Sequence, residues 1–213
     1  VYFCDVEKEQ TEPTDERIFA IAQALTEGYT VDDVYRLSRI DKWFLYKIEC
    51  IVKMAQSLST TTLTDSTPDL LRQAKETGFS DRQIANLMQG DAEAVAERRK
   101  ALNIHPFIRQ IDTLAAEFPA RTNYLYLSYH ASQHDIETDF TDGILILGSG
   151  AYRIGSSVEF DWCAVHMGKT LQQMGHRIAM LNFNPETVST DYDESDLLIF
   201  DDISLENVVA LNT

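Results

Sequence analysis

From about residue 13 to residue 118 the apolar side chains recur at helical spacing, and from Thr122 onward the period changes to one that mixes strands with a helix. A chain that changes period in this way must bury two differently shaped cores, so the sequence predicts a helical region followed by one that contains a sheet. In the first region, "PTDERIFAIAQALTEG" opens beside Pro13 and Thr14, sets Ile18, Ile21, Ala22 and Leu25 on one face, and closes at Gly28. "TVDDVYRLSRI" follows with Thr30 as N-cap and Asp33 in the first turn. "DKWFLYKIECIVKMAQSL" starts at Asp41 and is expected to bury Phe44, Leu45, Ile48, Ile51, Val52 and Leu58. Beyond the loop "SLSTTTLTDST", three short helices are expected: one after Thr67-Pro68, one behind the capping-box pair Ser80 and Gln83, and one within "DAEAVAERRKALN". "FIRQIDTLAAEF" reads as a further helical or turn segment.

"TNYLYLSY" alternates, so Thr122 to Tyr129 is expected to be extended, and "HASQHDIETDFTDG" reads as a polar connector. From Gly143 the order is a buried strand (Ile144 to Leu147), a glycine turn, a helix (about Ser157 to Met174), a strand (about Arg177 to Phe183), a polar loop, and a short strand at Leu198 to Phe200. That is the opening βαβ unit of a parallel sheet, and the whole chain is expected to be α plus α/β.

Parallel sheets bind ligands beyond the carboxyl ends of their strands, which directs attention to two loops. The first is "GSGAYRIGSS", whose glycines permit either a close ligand approach or a tight strand-to-helix packing. Its spacing is G-x-G-x-x-x-x-G, with Arg153 where a dinucleotide site has its third glycine, so a NAD site is disfavoured. Arg153 is either a cation placed to meet an anion or a solvated surface residue. Glu159 and Asp161 complement the helix dipole, and Trp162 and Cys163 read as core. The second loop, "NPETVSTDYDESD", offers Asn184 and Glu186 nearest the strand end; Asp191, Asp193, Glu194 and Asp196 read as solvated, with no calcium-loop spacing. Both loops should face one crevice. His130, His134, His166 and His176 lack metal-pair spacing, and no metal site is expected.

The 34 acidic against 18 basic side chains give a net charge of −16, which repels phosphate backbones and anionic membranes. The helix-turn-helix-like stretch 67–103 has one basic cluster, Arg98 to Lys100, and reads as an interaction module without nucleic acid. Cys4, Cys50 and Cys163 are too scattered for a disulfide scaffold or a zinc pair, and no apolar run has the ~20 residues a membrane span needs. The chain is therefore expected to occupy a reducing, intracellular compartment.

"IDKWFLYKIECIV", "LRQAKETGFSDRQIA", "IDTLAAEFPARTNYLYLSY", "GSGAYRIGSSVEFDWCAV" and "NPETVSTDYDESD", in that order, closely resemble the large chain of carbamoyl-phosphate synthetase, in its eukaryotic forms. The resemblance implies a helical oligomerisation domain over 1–120, an extended connector over 121–142, and from 143 to 213 the opening of a Rossmann-like, pre-ATP-grasp sheet in the second synthetase half. It also implies a parent enzyme that makes carbamoyl phosphate from bicarbonate, ammonia and two ATP with Mg2+, this span holding neither a catalytic residue nor a cofactor or metal site of its own. Positions matching Arg153, Ser157 and Glu186 resemble the lining of the passage that carries carbamate to the second half. Ser157 stands where some members have glycine, and Leu197-Leu198-Ile199 departs from the usual basic and aromatic pair. The implied partners are the other synthetase domains, a glutaminase domain or subunit if glutamine is the nitrogen source, and further copies of the chain, in the cytoplasm or alternatively the mitochondrial matrix. A stand-alone small-molecule-binding protein or a helical scaffold are the competing readings.

Overall fold

Most helices of the first part begin at hydroxyl or carboxylate caps. The computed structural model describes residues 2–120, 122–136, 140 and 142–211. Its helical part opens with α1 (Val6–Thr11), α2 (Arg17–Thr26), α3 (Val31–Ser38) and α4 (Lys42–Ser59). The Thr30 hydroxyl accepts the Asp33 amide while the Asp33 carboxylate accepts the Thr30 amide, and Asp41 accepts from the Trp43 amide at the head of α4. α5 (Pro68–Glu76), α6 (Asp81–Leu87) and α7 (Ala92–Ala101) start after Thr67, Ser80 and Asp91, each of which accepts a first-turn amide through its side chain. α2 has no side-chain cap and starts at Arg17 instead of beside Pro13 and Thr14. It closes at Gly28, φ +99°, where the Tyr29 amide reaches the Ala24 carbonyl at 3.0 Å, a bond that requires the left-handed residue between them.

The chain divides into two compact units, Val1–Leu102 and Asn103–Thr213. In the first, Ala20, Ile21, Ala24 and Leu25 of α2 cluster with Val31 and Val34 of α3 and with Leu45 and Val52 of α4. Three residues expected there are on the surface instead: Ile18 is 54%, Phe44 55% and Ile51 46% exposed. Phe44 and Ile51 each precede a buried residue by one position, a rotation of about 100° around the helix. The apolar arc of α4 is wider than the face its neighbours cover, and periodicity does not mark which part is covered.

Charge links the last three helices of this unit. Asp81 accepts from Lys75 Nζ at 3.2 Å and from Arg99 Nε and Nη2, the latter at 2.9 Å, and all three residues are buried. Lys75 also donates to the Phe79 carbonyl at 2.7 Å. Arg99, central in the one basic cluster of the sequence, is therefore committed to an internal carboxylate and not presented to a phosphate.

The second unit carries β1 (Phe107–Gln110), β2 (Tyr124–Ser128), β3 (Ile144–Leu147), α8 (Val158–Gln173), β4 (Ile178–Leu181), β5 (Leu197–Ile199) and α9 (Leu205–Leu211). The strand order is β1-β2-β5-β4-β3, with β1 antiparallel to β2 and the remaining pairs parallel. The segment 107–118, read as helix or turn, is thus a strand followed by turns. Pairing decides this: Phe107 lies opposite Ser128, and Asp135 accepts from Arg109 Nε at 2.7 Å and from the Gln110 amide at 3.0 Å. The compact unit accordingly begins at Asn103, before the boundary at 120 inferred from sequence. Within the expected connector 121–142, residues 121, 137–139 and 141 lie outside the described ones.

Strand alternation feeds two cores. Ile146, Ile178, Met180 and Leu198 pack with Ala164 and Leu171 of α8, while Leu125, Ala179, Leu181 and Ile199 pack with Val208 and Leu211 of α9. At the end of β5, Asp201 accepts from the Leu127 amide at 3.1 Å and from Asn207 Nδ2 at 2.9 Å. Burial raises its carboxyl above the usual carboxylate range, against the opposing pull of the backbone donors. A raised value in the folded state means that the group's contribution is fully present below its unfolded value and is lost as pH rises through the folded value. Sheet-unit stability is expected to fall across that window, and Asp201→Asn to flatten the slope in a pH series of thermal melts; an unchanged slope would refute the assignment.

Candidate functional site

β3 and β4 run parallel in register, Ile144 beside Ile178 and Leu147 beside Leu181, so the loops that leave them emerge at the same end of the sheet. Asn182, fully buried one residue past β4, ties those loops together. Its Oδ1 accepts from the Gly150 and Asn184 amides, both at 3.1 Å, and its Nδ2 donates to Ser189 Oγ at 3.2 Å. Asn184, also buried, donates from Nδ2 to the Gly150 carbonyl at 3.3 Å, and its own carbonyl accepts the Thr190 hydroxyl. The Tyr152 and Thr187 hydroxyls meet at 2.6 Å, adding a third tie.

This clamp explains the glycines. A Cβ on Gly148 would lie 2.4 Å from Asn182 Nδ2, and one on Gly150, at φ +72°, 2.3 Å from the Phe183 ring. Of the two roles open to the glycine turn, close packing against the second loop is the one these contacts define. The turn then doubles back as a two-residue hairpin, Arg153 and Ser156 exchanging backbone bonds of 2.8 and 2.9 Å.

The helix α8 supplies a further anchor. Its buried stripe is Asp161, Ala164, Val165 and Gly168, and Asp161 Oδ2 accepts the Ser189 amide at 3.1 Å. Asp161 thus holds the short 3-10 turn Val188–Thr190 of the second loop against the helix. The loop's remaining carboxylates divide. Asp196 accepts the Ile178 amide at 2.7 Å and Glu194 pairs with Lys169 at 3.0 Å, while Asp191 and Asp193 face solvent. Among the described residues no cluster of His, Cys, Asp or Glu is arranged to hold a metal ion, and no helix is long and apolar enough to cross a membrane.

The residues singled out in the sequence fall on this framework unequally. Arg153 and Glu186 are both exposed, one on each clamped loop, and neither side chain has a hydrogen-bond or ion-pair partner among the described residues. Ser157 starts α8 without capping it; its hydroxyl donates to Glu159 at 2.5 Å, and this bond holds the Glu159 carboxyl below the usual carboxylate range. Trp162 and Cys163, read as core, are exposed, Trp162 at 61% and in tilted contact with the His166 ring, centres 4.0 Å apart. The reason is the narrow face that α8 offers the sheet: small residues at 164 and 168 let it approach closely, and position 162 lies off that stripe.

Two residues that organise the site were missed by the sequence reading. Asp161 carried a signal, since it occupies the same helical stripe as Ala164, Val165 and Gly168. Asn182 carried none, because an asparagine after a strand is ordinary loop chemistry until the neighbouring turn is in place.

Residues 4–103 match the family described as carbamoyl-phosphate synthetase large chain, oligomerisation domain, and residues 141–212 that described as carbamoyl phosphate synthase preATP-grasp domain. The chain is 52% identical over 207 residues to multifunctional protein pyr-3 of Neurospora crassa, covering 96% of this chain and 11% of the relative. It is 52% identical over 209 residues to multifunctional protein URA2 of Saccharomyces cerevisiae, covering 97% and 9%. To the mitochondrial carbamoyl-phosphate synthase [ammonia] of Rattus norvegicus it is 50% identical over 207 residues, covering 97% and 14%. The chain thus spans about a tenth of the length of the first two and a seventh of the third.

Proposed function

The chain belongs to the carbamoyl-phosphate synthetase large-chain family, and from that premise we propose that it forms the junction between the two halves of such an enzyme and lines its carbamate passage. The longer enzyme makes carbamoyl phosphate from bicarbonate, ammonia (free or released from glutamine) and two ATP. On this reading ATP and Mg2+ are held by its other domains, and the close approach of Asn182 and Phe183 to Gly148 and Gly150 supports packing as the role of the glycine turn. The helical unit supports association, with Trp43, Phe44 and Ile51 leaving apolar surface for another domain or copy.

One observation carries the passage reading. Two loops, locked to each other by Asn182 and Asn184, present a guanidinium at Arg153 and a carboxylate at Glu186 that no other described residue engages. Carbamate is a small, short-lived anion. A guanidinium offers it two parallel donors, while a carboxylate on the second loop would limit how tightly it is retained, as transit requires. The Ser157 hydroxyl is committed to Glu159, so its part in the lining is to orient that carboxylate.

The test uses the intact enzyme with Arg153→Ala and Glu186→Gln. Carbamoyl phosphate formed per ATP hydrolysed is expected to fall about tenfold or more, the worth of one charge-assisted hydrogen bond, with bicarbonate-dependent ATP hydrolysis retained. A parallel loss of both, or of neither, would overturn the reading.

A further inference from the structure

Asn182 and Asn184 hold the glycine turn at Gly150, but Arg153 stands three residues further along the chain. Three residues span up to about 10 Å, so a clamp at Gly150 alone leaves the guanidinium end of the loop a wide arc. Beyond Arg153 the chain turns back through the hairpin to Ser156 and enters α8, whose hydrogen bond to the second loop comes at Asp161. Between these two anchors, something nearer has to fix Arg153 relative to Glu186.

The Tyr152 and Thr187 hydroxyls, 2.6 Å apart, do so. Tyr152 is the sequence neighbour of Arg153, and Thr187 that of Glu186. Both sides of the pair are held. Thr187 is 7% exposed, and its carbonyl accepts the Thr190 amide at 3.0 Å and the Thr190 hydroxyl at 2.7 Å. On the far side of Glu186, the Asn184 side-chain oxygen accepts the Glu186 amide at 3.0 Å, so the backbone of Glu186 is fixed from both directions. In the first loop, the Arg153 amide and carbonyl both bond to Ser156, and the residue therefore moves with its hairpin. Tyr152 is the point at which that hairpin meets the second loop.

We propose that Tyr152 and Thr187 are positioning residues, whose hydroxyl pair sets the separation of Arg153 and Glu186 and thereby the fraction of carbamate that arrives intact. The inference rests on the passage reading of those two residues. Neither hydroxyl needs to touch the anion. Tyrosine suits the task, since its hydroxyl is carried on a rigid ring with two side-chain torsions and little conformational entropy is lost in fixing it. The bond is also neutral, so it ties the loops without adding a charge that competes with Arg153 or Glu186 for the anion.

The intact enzyme tests it through carbamoyl phosphate formed per ATP hydrolysed, with Arg153→Ala as the reference. Tyr152→Phe and Thr187→Val each remove one hydroxyl with little change of size. Each is expected to lower the yield about fivefold, the worth of one neutral hydrogen bond, with bicarbonate-dependent ATP hydrolysis retained. The double variant is expected to fall no further than either single one, and Thr187→Ser, which keeps the hydroxyl, to hold the unmodified yield. A normal yield in Tyr152→Phe beside a low one in Arg153→Ala overturns this inference and leaves the passage reading standing. Losses that multiply in the double variant, or a Thr187→Ser as poor as Thr187→Val, also overturn it, because the two side chains then act separately or through packing. A normal yield in Arg153→Ala overturns the passage reading, and this inference with it.

Discussion

Replacing Asp81 by alanine lowers the stability of the helical unit by about 3–5 kcal/mol, the cost of leaving buried charge without its partner. Asp81 is the common acceptor for Lys75 and Arg99, each about 5% exposed, and its removal strands two cations where water cannot replace the carboxylate. Urea unfolding followed by helical circular dichroism measures the effect. The surface pair Arg36–Asp33, at 2.6 Å but with the arginine side chain 71% exposed, serves as a control, and breaking it should cost far less than breaking the buried cluster. Replacing the whole cluster, Lys75→Met with Asp81→Leu and Arg99→Met, should regain most of the loss, since the penalty lies in the unpaired charges and not in missing volume. A loss below about 1 kcal/mol for Asp81→Ala would mean that the cations reach water and that the helices stand without this link.

Asn182→Ala has the second largest effect, a loss of about 3 kcal/mol from the sheet unit. It leaves the Gly150 and Asn184 amides buried without an acceptor, at about 1–3 kcal/mol for each unmet group. Because Gly148 touches Asn182, the pair should couple. Gly148→Ala alone forces a Cβ against the Asn182 amide, whereas in the Asn182→Ala background that space is free and the added cost shrinks. A double-mutant cycle by thermal denaturation reads this directly; strict additivity would show that the two loops are not clamped through this contact. If the proposed passage reading holds, the same substitution in the intact enzyme should lower carbamoyl phosphate per ATP, because Arg153 and Glu186 would no longer sit on loops tied through Asn182.

The order of a helical part before a sheet-containing one, the helix starts at Thr30, Asp41, Thr67 and Ser80, and the β-α-β order after Gly143 were legible in the sequence, because each is written in local spacing or in one residue's hydrogen-bonding reach. The family was legible for a similar reason, since its motifs are contiguous. Phe44, Ile51 and Trp162 show where local reading stops: a helix can be apolar over a wider arc than its neighbours cover, and which residues remain exposed depends on those neighbours.

Long-range contacts decided the rest. β1 is a strand because β2 and Asp135 offer it partners, although its own residues carry no strong preference. Asp81 became the centre of a buried ion cluster only when Arg99, eighteen positions away, was brought against it. The site followed the same rule: the sequence by itself determined that two polar loops leave parallel strands at one end, with Arg153 on one and Glu186 on the other. Only the tertiary structure decided that Asn182 bolts those loops together, because the Gly150 and Asn184 amides it satisfies meet at one carbonyl only after β3 and β4 have paired.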